Sequence, residues 1–228
     1  MSPPTDAPDR PRRTRGAHAA ARPRRDAERT ARAILEAALI EFSDHGPAGA
    51  RIDTIAERSG ASKPMIYSYF GDKEGLYAAA LREAYVQIRA GERKLDLASL
   101  APREAIGALV DFTLEHYRSK PWFIRMLNSE NLRGGATIRT IADASEIQTP
   151  LIDELGEILR RGAAAGTFRR DVCPVDLYIT IASLFYFPIS NAHTLRAVFG
   201  YPGDDAGFER RRCDVRRMVL GFLAPDAQ

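Results

Sequence analysis

A short segment near the N-terminus concentrates side chains that can recognise nucleic acid. Lysine can pair with a phosphate or a guanine edge, and methionine can contact a thymine methyl group. Tyrosine hydroxyls can donate hydrogen bonds to phosphate while their rings pack on the sugar-phosphate ridge. These residue types together predict a surface that enters the DNA major groove. The positions predicted to face outward are Lys63, Pro64, Met65, Tyr67, Ser68 and Tyr69.

The residues around this segment predict two short helices joined by a tight turn. Ala56 is small enough for the two helices to cross closely, and Gly60 permits the turn. Ser62 can cap the second helix, in whose first turn a proline is tolerated. Ile66 and Phe70 lie four residues apart and can face inward together. The pattern is that of a helix-turn-helix.

Helices are also predicted on both sides of this motif. Apolar residues recur at spacings of three and four from Ile34 to Phe42, within a helix that begins at about Asp26. Gly46 and Pro47 are suited to end that helix. After the motif, Asp72 caps a further helix that continues to about residue 94. The segment 26–75 is therefore predicted to be a three-helix unit.

The stretch from Ile52 to Leu76, IDTIAERSGASKPMIYSYFGDKEGL, resembles the signature of the TetR family of repressors. The similarity extends over residues 28–88, with about ten signature positions at matching spacing. Pro64 stands where glycine is commoner, and Ser59 and Ala61 replace alanine and valine. Ile52 lies where threonine is frequent. These departures are small, and the resemblance implies a protein that binds operator DNA as a dimer.

The resemblance also implies which residues contact DNA. It adds Arg51 and Thr54, near the first helix of the motif, to the segment 62–69. It assigns Lys73 to a backbone phosphate. For any one of these residues alone, simple exposure to solvent is the alternative, and Tyr67 has the further alternative of packing partly against the first helix. The full set is Arg51, Thr54, Ser62, Lys63, Pro64, Met65, Tyr67, Ser68, Tyr69 and Lys73.

The remainder of the sequence also predicts helices, and the fold class is all-α with about nine helices. No run shows sustained alternation of apolar and polar residues between turn signals, which makes a β domain improbable. Helices are expected over 102–118, 122–132, 138–166, 174–197 and 208–223, with Pro150 as a start or kink. The helix at 76–94 is the connection between the DNA-binding unit and a larger domain over 95–228.

Residues 1–25 form a basic tail that is predicted to be disordered. The segment has seven arginines, only two acidic residues, five prolines and no large aliphatic or aromatic side chain beyond Met1. It therefore cannot bury a core. One interpretation is a solvated terminus without a specific role. The other is an arm that follows the DNA backbone or enters the minor groove beside the site.

By resemblance, residues beyond about 95 form an effector-binding and dimerisation domain. The segments 119–131 and 188–200 look like a subgroup represented by a pyrimidine-catabolism repressor. A ligand cavity between helices is lined mainly by apolar and aromatic side chains with a few polar anchors. Ordinary core packing is the alternative for each of these candidates. The residues that fit the description are Phe112, His116, Trp122, Phe123, Met126, Glu130, Asn131, Tyr186 and Asn191.

Dimerisation is predicted through the last two long helices. The helix at 174–197 is apolar around most of its circumference, so it must be covered on several sides. The final helix has an apolar stripe of its own, and in the family such helices pair with their symmetry mates. A twofold dimer presents two recognition helices to a palindromic operator. A small-molecule effector would release the DNA; a domain that only dimerises, and an activator, are the alternatives.

Other functional classes find little support in the sequence. The four histidines are scattered, and the two cysteines are forty residues apart without a metal-binding pattern. We therefore expect no catalytic residues, no metal and no cofactor. The longest apolar stretch, 177–189, is too short to span a bilayer, and no secretory signal is present in the first thirty residues. A reduced, cytoplasmic location without membrane contact is the resulting expectation.

Overall fold

A computed structural model describes residues 21–225, and within them it contains ten α-helices and two short 3₁₀ turns. The all-α prediction is confirmed. The count exceeds the expected nine because the helix predicted over 174–197 is divided at Asn191. The helices are α1 (Ala21–Gly49), α2 (Ile52–Ser59), α3 (Lys63–Phe70), α4 (Lys73–Arg93), α5 (Pro102–Ser119), α6 (Pro121–Leu132), α7 (Ala144–Ala164), α8 (Pro174–Ser190), α9 (Ala192–Phe199) and α10 (Asp205–Leu223).

The first helix begins earlier than predicted, and at its other end Gly46 interrupts it as predicted while one further turn continues to Gly49. α1 begins at Ala21, five residues before the predicted start, so residues 21–25 of the predicted basic tail are helical. The rest of that tail, 1–20, lies outside the described residues. Gly46 adopts a φ of 65°, which breaks the helical path ahead of Pro47. A left-handed conformation of this kind favours glycine because a Cβ would be strained there.

The N-terminal helices enclose one apolar core. Side chains from α1, α2, α3 and the first half of α4 meet there and exclude solvent almost completely. The rings of Phe42 and Tyr77 pack edge to face with their centroids 5.1 Å apart, which joins α1 to α4. The largest buried aliphatic members are Ile34, Ile55, Ile66, Leu76 and Leu81.

The N-terminal unit and the rest of the chain share two helices. α4 runs without a break from Lys73 to Arg93, across the boundary predicted at 75/76. α6 packs against α1, and Arg125 of α6 makes an ion pair of 2.9 Å with Asp44 of α1. Because α4 and α6 each contact both units, the position of the N-terminal unit depends on the packing of the rest of the chain.

The remaining helices form a second bundle. α5, α7, α8 and α10 pack around Leu109, Leu155, Ile181 and Val215, all of them buried. Pro150 lies inside α7, which already begins at Ala144. None of the helices in the described part of the chain has the length and apolar character needed to cross a membrane.

Candidate nucleic-acid interface and aromatic groove

The turn between α2 and α3 forms as its residue types require. Gly60 ends α2 with a φ of 69°, and Ala61 is buried at the crossing of the two helices. The Ser62 hydroxyl accepts a hydrogen bond from the backbone N–H of Met65 at 3.4 Å and so caps α3. Ile66 is buried and Phe70 is half-buried. The rest of α3 is therefore available to face a partner.

The outward face of α3 is unusually apolar for a surface helix. Met65, Tyr67 and Tyr69 expose 41%, 44% and 41% of their surface. Lys63, Pro64 and Ser68 are exposed beside them, as is the capping Ser62. Three large side chains left in water on a helix of eight residues indicate a contact surface rather than a core. All seven predicted residues of α3 and its cap are therefore exposed, around most of the circumference of the helix.

Arg51 and Thr54 lie at the start of α2, and a buried glutamate determines the position of that start. The Glu41 carboxylate accepts the backbone N–H of Arg51 at 3.0 Å and is 2% exposed. It also lies 3.4 Å from Nδ1 of His45 and 3.9 Å from the guanidinium of Arg58. Glu41 was missed from the sequence, because a glutamate next to an apolar stripe is typical of a solvated helix edge.

An ion pair connects the outer surfaces of α2 and α3. The Lys63 ammonium contacts the Asp53 carboxylate, and both side chains are about half exposed. The hydrogen bond from Lys63 holds the pKa of Asp53 below its usual value, and the charges of Lys63 and Arg51 act in the same direction. Asp53 was not predicted to be functional. It places one negative charge beside Lys63, the single cation of α3.

Lys73 lies at the other edge of this face and has a structural contact. Its ammonium donates to the backbone carbonyl of Ala48 at 3.1 Å, which ties the start of α4 to the end of α1. The neighbouring Asp72 caps α4 by accepting the N–H of Gly75 at 2.7 Å. An ammonium has three donors, so this contact leaves two for another partner.

A groove lined by aromatic rings lies between α4, α5, α6 and α8. Its volume is about 280 Å³. It is open beside the exposed Ile179 and Ser183 of α8. Its principal lining residues are Tyr85, Tyr117, Phe123, Leu127, Tyr178 and Tyr186. Tyr85, Tyr117 and Tyr178 were not predicted. They lie on three different helices, α4, α5 and α8, so no local spacing in the sequence connects them.

Buried polar groups lie directly behind the groove. Arg89 donates to the Tyr178 hydroxyl at 2.9 Å and makes an ion pair of 2.8 Å with Glu92. Burial raises the pKa of Glu92 to about 7, against the opposing effect of the Arg89 charge. His116 is also buried, and desolvation, with the nearby charges of Lys120 and Arg89, lowers its pKa to about 4. This histidine is therefore neutral at pH 7.

Five of the nine predicted pocket residues lie at or next to the groove. Phe123 and Tyr186 line it. His116 and Trp122 pack against Phe123 with ring centroids 5.0 and 6.2 Å away, and Phe112 packs against His116 at 5.6 Å. None of these last three residues lines the groove; His116 is buried, and Phe112 and Trp122 are half-buried.

The other four predicted pocket residues have separate environments. Met126 is fully buried in the core. The Glu130 carboxylate accepts the N–H groups of Thr137 and Ile138 at 2.7 and 2.9 Å, so it holds the loop after α6. Asn131 donates to a backbone carbonyl of its own helix, and Asn191 does the same at the end of α8. The structure does not bring these side chains into the groove.

Several large apolar side chains are exposed on α8 and α10. Val175, Ile179 and Phe187 of α8 are 43%, 52% and 58% exposed, and Met218 and Phe222 of α10 are 46% and 51% exposed. The two helices are in contact with each other. Exposed apolar side chains in this number are typical of a protein–protein interface.

The chain matches family models over both of its parts. Residues 34–80 match the model described as "Bacterial regulatory proteins, tetR family". Residues 102–219 match "Tetracyclin repressor-like, C-terminal domain", which is half of the chain. The first match contains α2 and α3, and the second contains all of the groove residues except Tyr85.

Similar proteins agree with these matches. The HTH-type transcriptional repressor NicS of Pseudomonas putida is 38% identical over 169 residues, covering 74% of this chain and 80% of NicS. The HTH-type transcriptional regulator RutR of Escherichia coli is 29% identical over 199 residues, covering 85% of this chain and 90% of RutR. The ketosteroid transcriptional regulator KstR2 of Mycobacterium tuberculosis shares the fold, with a TM-score of 0.63, 18% identity and coverage of 86% and 95%. The chain belongs to the TetR family of bacterial regulatory proteins.

Proposed function

We propose that this protein is a repressor that binds a palindromic operator as a dimer and is released by a small molecule in the aromatic groove. The exposed face of α3 is the observation that supports the proposal most strongly. Its exposed hydroxyls, rings and single cation are groups that contact phosphates and base edges. The capped N-terminus of α3 adds backbone N–H groups that favour phosphate.

The residues around α3 extend this surface along the DNA backbone. Arg51 is exposed at the start of α2, and Thr54 follows it one turn later. Lys73 keeps two ammonium donors beyond its bond to Ala48, and we assign one of them to a phosphate. The base-reading positions are then the exposed residues of Ser62–Tyr69, without the buried Ile66, and Arg51, Thr54 and Lys73 fix the register of the protein on the duplex.

The dimer is proposed to form through the exposed faces of α8 and α10. Covering Phe187, Met218 and Phe222 removes large apolar side chains from water, and each such burial is favourable. A twofold axis beside these helices gives an interface that uses the same surface on both subunits. Two copies of α3 then face successive major grooves of one operator.

Release by a ligand is proposed to pass through α4 and α6. Both helices line the groove, α4 with Tyr85 and α6 with Phe123 and Leu127. Both also hold α1, through the Phe42–Tyr77 ring contact and the Arg125–Asp44 ion pair. A ligand that favours one arrangement of these helices therefore changes the separation of the two recognition helices, and the operator affinity falls.

The proposal is tested by selecting binding sites from a random pool of double-stranded DNA. We expect an inverted repeat to be enriched and two chains to bind each site at saturation. Transcription from a promoter that contains the selected site should fall when the protein is added. Enrichment of no sequence, or one chain per site, would contradict the proposal, and a rise in transcription would make the protein an activator.

A further inference from the structure

Three tyrosine hydroxyls beside the groove have unused hydrogen-bonding capacity. Among the described residues, neither Tyr85 nor Tyr117 makes a side-chain hydrogen bond. The Tyr178 hydroxyl accepts a bond from Arg89, which leaves its own proton free to be donated. The unpaired hydroxyls of Tyr85 and Tyr117 are not among the enclosed polar atoms, so they are accessible and can donate to a molecule in the groove.

These hydroxyls share one electrostatic environment. Burial raises the pKa of Tyr85 and of Tyr117, and the proximity of Tyr178 raises both further. All three phenols are therefore protonated at neutral pH and act as donors toward the groove. An acceptor that meets several donors at once is a carboxylate, which has about four lone-pair directions on two oxygens.

A buried cation stands behind the same hydroxyls. Arg89 donates to Tyr178, and its guanidinium lies over the Tyr178 ring, 5.2 Å from the centroid. Because the Tyr178 hydroxyl accepts a hydrogen bond from the Arg89 guanidinium, its own O–H becomes a stronger donor, since successive hydrogen bonds polarise one another. No aspartate or glutamate is among the described residues that line the groove. Arg89 is itself ion-paired with Glu92 at 2.8 Å, so its charge is compensated, and the preference for a carboxylate rests on the three hydroxyl donors.

The shape of the groove favours a flat ring. Tyr117 and Phe123 are stacked with centroids 5.8 Å apart and planes 27° apart, and Tyr85 meets Phe123 edge to face at 6.3 Å. Flat aromatic walls interact best with another planar ring. The volume of about 280 Å³ lies just below the range of drug-sized pockets and is enough for one or two rings.

We infer that the groove binds a small planar aromatic carboxylate, with its ring against Phe123 and its carboxylate accepting from Tyr85, Tyr117 and Tyr178. This inference rests on the proposed release by a ligand in the groove, and it names the chemical class of that ligand. Tyr85 and Arg89 both belong to α4. Occupation of the site therefore acts directly on the helix that continues into the DNA-binding unit.

Binding is tested on the full-length protein without DNA, by isothermal titration calorimetry and by the shift in melting temperature. The probes are benzoate and 2-naphthoate. The comparison compounds are benzamide, which lacks the negative charge, and cyclohexanecarboxylate, which lacks the planar ring. We expect the two aromatic carboxylates to bind and to raise the melting temperature. Each comparison compound should bind at least roughly tenfold more weakly than benzoate.

Single substitutions locate the site. Tyr117→Phe and Tyr178→Phe each remove one hydroxyl and keep the ring, so each should weaken benzoate binding by roughly tenfold or more. Tyr201→Phe is the matched control, because Tyr201 lies before α10 and outside the groove. It should bind benzoate as the wild type does. Far-UV circular dichroism verifies that each variant is folded.

The inference is overturned if neither aromatic carboxylate binds, if cyclohexanecarboxylate binds as tightly as benzoate, or if both tyrosine variants keep wild-type affinity. Operator binding by the ligand-free protein is measured separately. Operator binding without any carboxylate binding overturns the ligand class and leaves the DNA-binding proposal in place. Carboxylate binding without operator binding overturns the DNA-binding proposal and leaves the ligand class in place.

Discussion

The carboxylate of Glu41 in α1 accepts the backbone N–H of Arg51, the residue immediately before α2, at 3.0 Å. A helix start leaves its first N–H groups without intrahelical partners, and Arg51 itself provides no side-chain cap. A buried glutamate from another helix therefore takes the place of a local cap. This contact fixes where α2 begins and directs the Arg51 side chain outward.

Glu41→Ala should lower the free energy of unfolding by about 1–3 kcal/mol, because the Arg51 N–H loses its acceptor in a buried place. Urea unfolding measures the change. Glu36→Ala on the exposed side of the same helix is the matched control and should stay within about 0.5 kcal/mol of the wild type. Equal stabilities of the two variants would show that the Glu41 contact contributes nothing.

Adjacent residues of α3 should respond to alanine in different ways. Tyr67→Ala should abolish the operator shift in a gel assay while the dimer stays intact, since Tyr67 is exposed. Ile66→Ala should destabilise the protein by about 2–5 kcal/mol, because Ile66 is 1% exposed and its removal leaves a cavity. Size-exclusion chromatography and thermal unfolding separate the two effects. Full operator binding by Tyr67→Ala would remove that residue from the interface.

The Asp53–Lys63 pair should reduce the affinity for DNA. Asp53→Asn removes one negative charge from the predicted interface and releases the Lys63 ammonium, so operator binding should tighten by roughly a few-fold at low salt. Lys63→Ala should weaken it. In the double variant, the gain from Asp53→Asn should shrink, because the lysine it releases is gone. Additive effects in fluorescence anisotropy titrations would mean that the two residues act independently.

His116 should make the protein less stable in acid. Its pKa is about 4 in the folded protein, below the ordinary value of 6.5, so the unfolded chain binds the proton first as the pH falls. The contribution of the neutral histidine is complete above pH 6.5 and is lost as the pH falls toward 4.

His116→Phe removes this titration, so between pH 7 and pH 5 the wild type should lose about 1–2 kcal/mol relative to the variant. Glu92, whose pKa is about 7, acts in the opposite direction between pH 4.5 and 7. The comparison of the two proteins, rather than the wild type alone, is therefore decisive. Parallel pH profiles in urea unfolding would show that His116 is not responsible.

The basic tail should contribute to DNA binding without reading the sequence. α1 begins at Ala21, so a deletion of residues 1–24 also removes its first turn. Substituting glutamine for the four arginines at 10, 12, 13 and 15 is the cleaner change. We expect weaker operator binding and a shallower dependence of affinity on salt, because fewer counterions are released. Unchanged affinity and an unchanged salt slope would leave the tail without a role.

The DNA-binding surface was predictable because short-range rules determine it. The turn at Gly60, the cap at Ser62 and the i, i+4 spacing of Ile66 and Phe70 each involve residues a few positions apart. Those rules also determine which face of α3 remains exposed. By contrast, Glu41 and Asp53 act on Arg51 and Lys63 across ten residues each, and no periodicity marks such partners.

Which residues come together to form the groove depends on the tertiary structure. Its tyrosines come from α4, α5 and α8, and each looks like an ordinary core aromatic in its own helix. Glu130 was predicted to line a pocket as a polar anchor, but its carboxylate accepts hydrogen bonds from backbone N–H groups of the following loop. Helix periodicity specifies which face of a helix is buried. Only the packing of several helices decides which buried residues meet at a cavity and which simply fill the core.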